Sequence, residues 1–201
     1  MSKMHPGRER KMVLEGPSFY HPAFEEAFRY IIDTYDVPPR DTCIFLPCSM
    51  KKPYSRSRSH AAFDTVIFRE CSQKEVHLVV FGTCGVVPRE LERMYPFAHY
   101  RYMLGRCTDP SVRQDFHRIE RFRLSRYLEK TKGSYGRRVA FCLGGFRRAM
   151  TGAAADTGID VRILPSDDLI AAHARPELRF PEGSLLYDAY LEELAGVLRD
   201  G

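Results

Sequence analysis

The sequence predicts a single α/β domain, a three-layer α/β/α arrangement around a mainly parallel four-stranded sheet. Short apolar runs alternate with segments of helical periodicity, the pattern of βαβ units. The runs are continuously apolar rather than alternating, so both faces of the sheet have to be covered by helices. With 44% hydrophobic and 12% aromatic side chains, 201 residues are enough for one sizeable core.

Residues 1–20 read as a loosely ordered lead-in, and the domain as running from 21 to 201. His21–Tyr35 spaces Phe24, Ala27, Phe28, Ile31 and Ile32 along one helix face, and Val37-Pro38-Pro39 ends it. Cys43–Pro47 is a first buried strand, followed by the stretch PCSMKKPYSRSRSH, residues 47–60. Ala62, Phe63, Val66, Ile67, Glu70 and Cys71 then recur at helical spacing, with Ser57 or Ser59 available as N-cap. Glu75–Phe81 is a second strand, closed by Gly82. Residues 83–96 read as a loop entering one or two helical turns, with Pro88 at the first helical position. Ser111–Lys132 is an arginine-rich helix, Arg138–Leu143 a third strand, Gly144-Gly145 a turn and Phe146–Ala155 a helix. Ile159–Leu164, ended by Pro165, is the fourth strand, and Leu185–Leu198 the final helix.

Several classes are excluded. No apolar run approaches the ~20 residues of a membrane helix, and no apolar signal segment follows the basic start. A cytoplasmic, soluble protein with no membrane partner is expected. Six cysteines are scattered singly without a CxxC pair, so neither a disulfide framework nor structural zinc is expected. No metal and no cofactor is implied. The net charge of +5 is uneven: residues 101–150 hold 13 Lys/Arg against 4 Asp/Glu, and residues 151–201 hold 4 against 10. Such asymmetry points to one polyanion-facing side, nucleic acid before membrane, with a merely solvated arginine helix as the alternative.

In open α/β sheets, ligands bind beyond the carboxyl ends of the strands. Loops 47–60, 82–96 and 143–146 fall there. The first feeds a helix N-terminus, and Lys51, Lys52, Arg56 and Arg58 reinforce the positive field. Such surroundings lower a thiol pKa, which makes Cys48 a candidate nucleophile and His60 a candidate base or proton donor. Packing roles for both residues are the alternative. Lys52-Pro53-Tyr54 holds a cation and an aromatic in restricted directions, which suits a base or sugar-phosphate. Glu90 and Glu92 are acids in a basic neighbourhood, able to accept from a guanine-like N–H edge or to complement a helix dipole.

Pro47-Cys48, three residues, Lys52-Pro53-Tyr54, two residues, Ser57, two residues, His60 resembles the signature of the archaeosine synthase family. Gly85-Val86-Val87-Pro88-Arg89-Glu90-Leu91-Glu92, followed by Tyr95-Pro96, resembles its second block. The resemblance covers residues 43–100. It implies a uracil-DNA-glycosylase-like fold and an enzyme adding the side-chain amine of free lysine to the nitrile of 7-cyano-7-deazaguanine in the tRNA D-loop. Under it, Cys48 and His60 are the catalytic pair, and Pro47, Ser49, Lys52, Tyr54, Ser57 and Glu90 hold the deazaguanine. Arg113, Arg118, Arg121, Arg126, Arg147 and Arg148 are expected to contact tRNA phosphates. Family members commonly carry a transglycosylase-like portion and a PUA domain, for which 201 residues leave no room. A subunit supplying them, and a radical-SAM protein acting on the adduct, are therefore expected partners. Two alternatives stand beside this: a non-catalytic tRNA- or deazaguanine-binding subunit, and a glycosylase-like base-handling enzyme.

Overall fold

The computed structural model describes residues 13–200. The first twelve residues of the expected lead-in lie outside them. From residue 13 the chain is packed: Leu14 is buried and bridges to Tyr100, and Ser18 and Phe19 are buried as well.

Five strands form one sheet in the order β3-β2-β1-β4-β5: β1 (Arg40–Pro47), β2 (Val76–Gly82), β3 (Gly85–Pro88), β4 (Tyr135–Phe141) and β5 (Arg162–Leu164). β2, β1, β4 and β5 are mutually parallel, and β3 is antiparallel to β2. The expected four strands are thus corrected to five. The added strand lies where the sequence suggests a loop entering helical turns. Gly82 and Gly85, both at positive φ, bracket the two-residue turn Thr83-Cys84 and fold the chain straight back as a hairpin. All four residues of β3 are buried, so no alternation marked them as a strand.

Helices cover both faces, as continuously apolar strands require. α1 (Pro22–Asp33), α3 (Pro110–Lys130) and α4 (Gly144–Thr157) pack on the face that carries Cys43 and Phe45. α2 (Arg58–Glu70), a short α5 (Asp167–His173) and α6 (Asp188–Arg199) pack on the face of Ile44 and Leu46. Boundaries are set by local chemistry. Pro22 and Pro110 occupy first-turn positions, Asp109 accepts from the Ser111 N–H at 2.8 Å, and Ser57 caps α2 by accepting from the His60 N–H at 3.2 Å. α4 ends at left-handed Gly158.

Two features of this topology position the site. After β1 the chain crosses to one face through α2, and after β4 it crosses to the other through α4. The crevice between the carboxyl ends of β1 and β4 is therefore the switch point of the sheet. Beside it, the β2–β3 turn overhangs the end of β1, where the Cys48 N–H donates to the Phe81 carbonyl at 2.8 Å.

Candidate active site

Cys48 stands one residue beyond β1, half-buried against the β2–β3 turn. Its sulfur lies 3.6 Å from the Thr83 hydroxyl. Gly82 comes so close that a Cβ there would fall 2.8 Å from the Cys48 sulfur and 2.5 Å from the Phe146 ring. The Cys84 thiol, which donates to the Gly85 carbonyl at 3.4 Å, lies beside the sulfur with the hydroxyl and N–H of Thr83 and the field of the Lys52 ammonium. Together they outweigh burial and hold the Cys48 thiol down at about 6. Cys84 itself is pushed well above the thiol range, by burial and by the anion beside it. One ionised sulfur served by one neutral thiol is the stable arrangement. The surroundings of Cys48 thus favour its thiolate form.

Lys52 sits with its ammonium 3.7 Å above the Tyr100 ring and donates to the Met50 carbonyl at 3.3 Å. Burial lowers its pKa, against the pull of Cys48 and Cys84. Beneath the site, a chain of hydroxyls links Thr83, Tyr100 and Tyr54: the Thr83 hydroxyl donates to Tyr100 at 3.4 Å, and the hydroxyls of Tyr100 and Tyr54 lie 3.3 Å apart. The Tyr54 hydroxyl is also 3.2 Å from the Phe97 carbonyl oxygen.

The loop is held from behind by the segment after β3. Arg89 donates to His60 Nδ1 at 3.1 Å and to Asp64 at 2.8 Å. Glu92 accepts from the Ser55 N–H at 2.9 Å and from its hydroxyl. Because Arg89 only donates, His60 Nδ1 is the acceptor, and Nε2–H donates to the Pro47 carbonyl at 2.9 Å. Burial and the Arg89 charge lower His60 to about 4, so the ring is neutral.

A family model described as a domain of unknown function, DUF5591, matches residues 26–177. The chain belongs to this family. Its relatives include the archaeosine synthase subunit alpha of Methanosarcina acetivorans, 32% identical over 154 residues, or 75% of this chain and 23% of that protein. The archaeosine synthase of Haloferax volcanii is 35% identical over 130 residues, 62% of this chain and 20% of that protein. The subunit alpha of Thermoplasma acidophilum is 38% identical over 82 residues, 40% of this chain and 16% of that protein. The DUF5591 domain chain thus spans about a fifth of the length of these relatives. A crystal structure of AF0587, described as a protein of unknown function, superposes with a TM-score of 0.53. At 21% identity it covers 87% of this chain and 48% of that one, which shows the shared fold.

Within the DUF5591 domain the expected site residues divide. Cys48 and Lys52 come together at the switch point, and Ser49 joins them on the loop, its hydroxyl donating to the Lys51 carbonyl at 3.0 Å. Pro47, Ser57 and Tyr54 form the frame: an accepting carbonyl, a helix cap, and a wholly buried ring stacked on His60 rather than open to a base. His60, expected to manage protons at Cys48, has both ring nitrogens engaged elsewhere. Glu90 is not at this site. It accepts from the His77 ring at 3.1 Å and from Tyr35, in a cleft of about 470 Å³ also lined by Arg40 and Asp64. His77 and Phe81 are four residues apart on β2, about 13 Å along the strand. β3 runs antiparallel to β2, so the chain returns Glu90 toward the amino end of the sheet.

Of the six arginines, Arg118, Arg121 and Arg126 line one open groove of about 500 Å³ on α3, around the exposed ring of Phe122. Each has an acid beside it: Asp115, Asp156 and Glu129. Arg113 donates to the Cys107 carbonyl, and Arg147 to the Pro165 carbonyl and Asp167. Arg148 is exposed near the start of α4.

Sequence reasoning missed Thr83, Cys84, Tyr100 and Glu120. Three of these surround Cys48 from a turn and a loop that no periodicity marks. Glu120 had a signal: with Phe116, Arg123, Leu124 and Tyr127 it follows the 3–4 spacing of a buried helix face, although the helix reads as a solvated arginine stripe. Among the described residues no group of histidines, cysteines and acids is placed to hold a metal ion, and no helix is long and apolar enough to cross a membrane.

Proposed function

We propose that this domain takes part in archaeosine modification of tRNA, joining the side-chain amine of lysine to the nitrile of 7-cyano-7-deazaguanine. The observation that carries the reading is the Cys48 sulfur, held at the switch point between the β2–β3 turn and Lys52, 3.6 Å from the Thr83 hydroxyl and in surroundings that lower its pKa. The similarity to proteins named archaeosine synthase supports the substrate class. On this reading the domain is uracil-DNA-glycosylase-like, with the base beyond the carboxyl ends of β1 and β4.

The Cys48 sulfur attacks the nitrile carbon and a C–S bond forms. One electron pair of the C≡N bond moves to nitrogen, which takes a proton from the Lys52 ammonium, giving a thioimidate. The amine of the lysine substrate then attacks the same carbon, the C–S bond breaks with its pair returning to sulfur, and the surplus amine proton goes back to Lys52. Nothing is oxidised or reduced, and the product is an amidine. His60 acts as a positioning residue, fixing the Pro47 carbonyl and through it the attachment of Cys48. Tyr54 and Ser57 hold the frame in the same sense, and Ser49 lies within reach of the base edge. On this reading, a partner subunit with transglycosylase-like and PUA portions supplies much of the tRNA grip, and a radical-SAM protein cleaves the adduct.

The test is incubation with cyano-deazaguanine tRNA and labelled lysine, with and without the complementing subunit. Label is expected in tRNA, and Cys48→Ala is expected to lower its incorporation by at least about a thousandfold. Near-normal labelling by Cys48→Ala overturns the covalent step. No labelling under any combination overturns the lysine reaction.

A further inference from the structure

Glu120 is a charged group that the proposed reaction does not use. It lies in the middle of α3, 1% exposed, under the turn that faces Cys48. One carboxyl oxygen accepts from the Gly82 N–H at 2.8 Å, and the other has no partner among the described residues. One helical turn away, Arg123 is 2% exposed and passes beneath Gly85, where a Cβ would come within 3.4 Å of its guanidinium. A carboxyl and a guanidinium on one helix face thus support the two ends of a four-residue turn. The middle of that turn presents a hydroxyl, an N–H and a thiol to the Cys48 sulfur. Burying a carboxyl without a second partner is costly. That expense is difficult to explain as packing alone.

We infer that Glu120 is a positioning residue that sets the ionisation of Cys48 through the β2–β3 turn. The inference rests on reading Cys48 as the reactive thiolate. Glu120 anchors Gly82, and Gly82 aims Thr83 and Cys84 at the sulfur. The carboxyl must be neutral while Cys48 is charged, because two anions on either side of one buried turn repel each other at low local dielectric. The groups facing Glu120 are Arg123 on its own helix, the Gly82 N–H of β2, Cys84 in the turn and Cys48 in the loop after β1. Burial raises Glu120 to about 8, Arg123 and the Gly82 N–H oppose that rise, and Cys48 adds to it. Below that value a neutral acid sits behind the thiolate. Above it a second negative charge appears there, and the pair titrates in two linked steps.

The experiment is alkylation of Cys48 by iodoacetamide between pH 5 and 9.5, read on the Cys48 peptide by mass spectrometry. The wild-type profile is expected to show two inflections, near 6 and near 8. Glu120→Gln keeps an acceptor for the Gly82 N–H but cannot ionise, so the first inflection stays and the second disappears. Glu120→Leu removes the acceptor, and alkylation at pH 6.5 falls at least about fivefold as the thiol pKa rises. A Glu120→Gln profile identical to wild type overturns the inference, as does wild-type alkylation by a folded Glu120→Leu. If circular dichroism shows that Glu120→Leu does not fold, the Gln comparison decides alone. No RNA takes part, so failure here leaves the lysine reaction standing, and failure of that reaction leaves this measurement valid.

Discussion

The most informative single residue is His60, because its chemistry is decided by its neighbours rather than its type. Histidine near a cysteine suggests a proton carrier. In this fold the ring is neutral, wholly buried and bonded at both nitrogens, so it serves as a rivet between the Cys48 loop and Arg89. Its folded pKa of about 4 is depressed below the usual 6.5. The unfolded chain therefore binds more protons between those values, and stability is present above pH 6.5 and is lost as pH falls through 4. The contribution is on the order of 3 kcal/mol. Denaturant midpoints measured from pH 7.5 to 4.5 are expected to fall for the wild type. The fall should be clearly shallower in His60→Gln, and equal slopes would sink the assignment.

At the scale of elements, the β2–β3 hairpin does the most for the site. Gly82 adopts φ +137, and a Cβ there would fall on both Phe146 and the Cys48 sulfur, so any side chain strains the backbone and collides with two neighbours. Gly82→Ala is expected to cost about 1–3 kcal/mol, read as a lower melting temperature. It should also slow lysine incorporation at least tenfold by displacing the thiolate. Full activity would show that the hairpin does not set the position of Cys48. The same element explains why the two sequence blocks at 47–60 and 85–96 belong together. Arg89 and Glu92, which follow β3, grip His60 and Ser55 of the first block. The helix α3 shows the opposite lesson. Its arginine-rich composition reads as a surface feature, yet it buries Glu120 and Arg123 among Phe116, Leu124 and Tyr127.

For the molecule as a whole, charge separates into two kinds. The α3 groove arginines Arg118, Arg121 and Arg126 each stand beside an acid, and exposed pairs of this sort hold little energy. The loop cations Lys51, Arg56 and Arg58 are exposed and have no acid partner among the described residues. If tRNA lies over the Cys48 crevice, the unpaired cations meet phosphate first. Binding is expected to weaken steeply with salt, by about 0.7–0.9 in log–log slope for each phosphate contact. Lys51→Glu with Arg58→Glu should reduce that slope more than Arg121→Glu with Arg126→Glu. Filter binding across a salt series reads both, and the reverse order would return the RNA to the α3 groove. Salt-insensitive binding would remove the phosphate contacts altogether.

The sequence by itself determined the fold class, the parallel core of four strands, the helices that matter, and the loop that carries Cys48. Each of these depends on local periodicity, on caps such as Ser57 and Asp109, or on a spaced motif, all of which are properties of contiguous residues. Only the tertiary structure decided that Gly85–Pro88 is a strand, that His60 is a rivet, that Glu90 faces the other end of the sheet, and that Thr83 and Cys84 lie against the sulfur with Glu120 beneath their turn. The physical reason is common to all four. Pairing to β2, desolvation of a ring, the direction in which a hairpin returns, and a turn brought against one sulfur from residues 35 and 36 positions away are long-range facts. They come into being when the chain closes on itself.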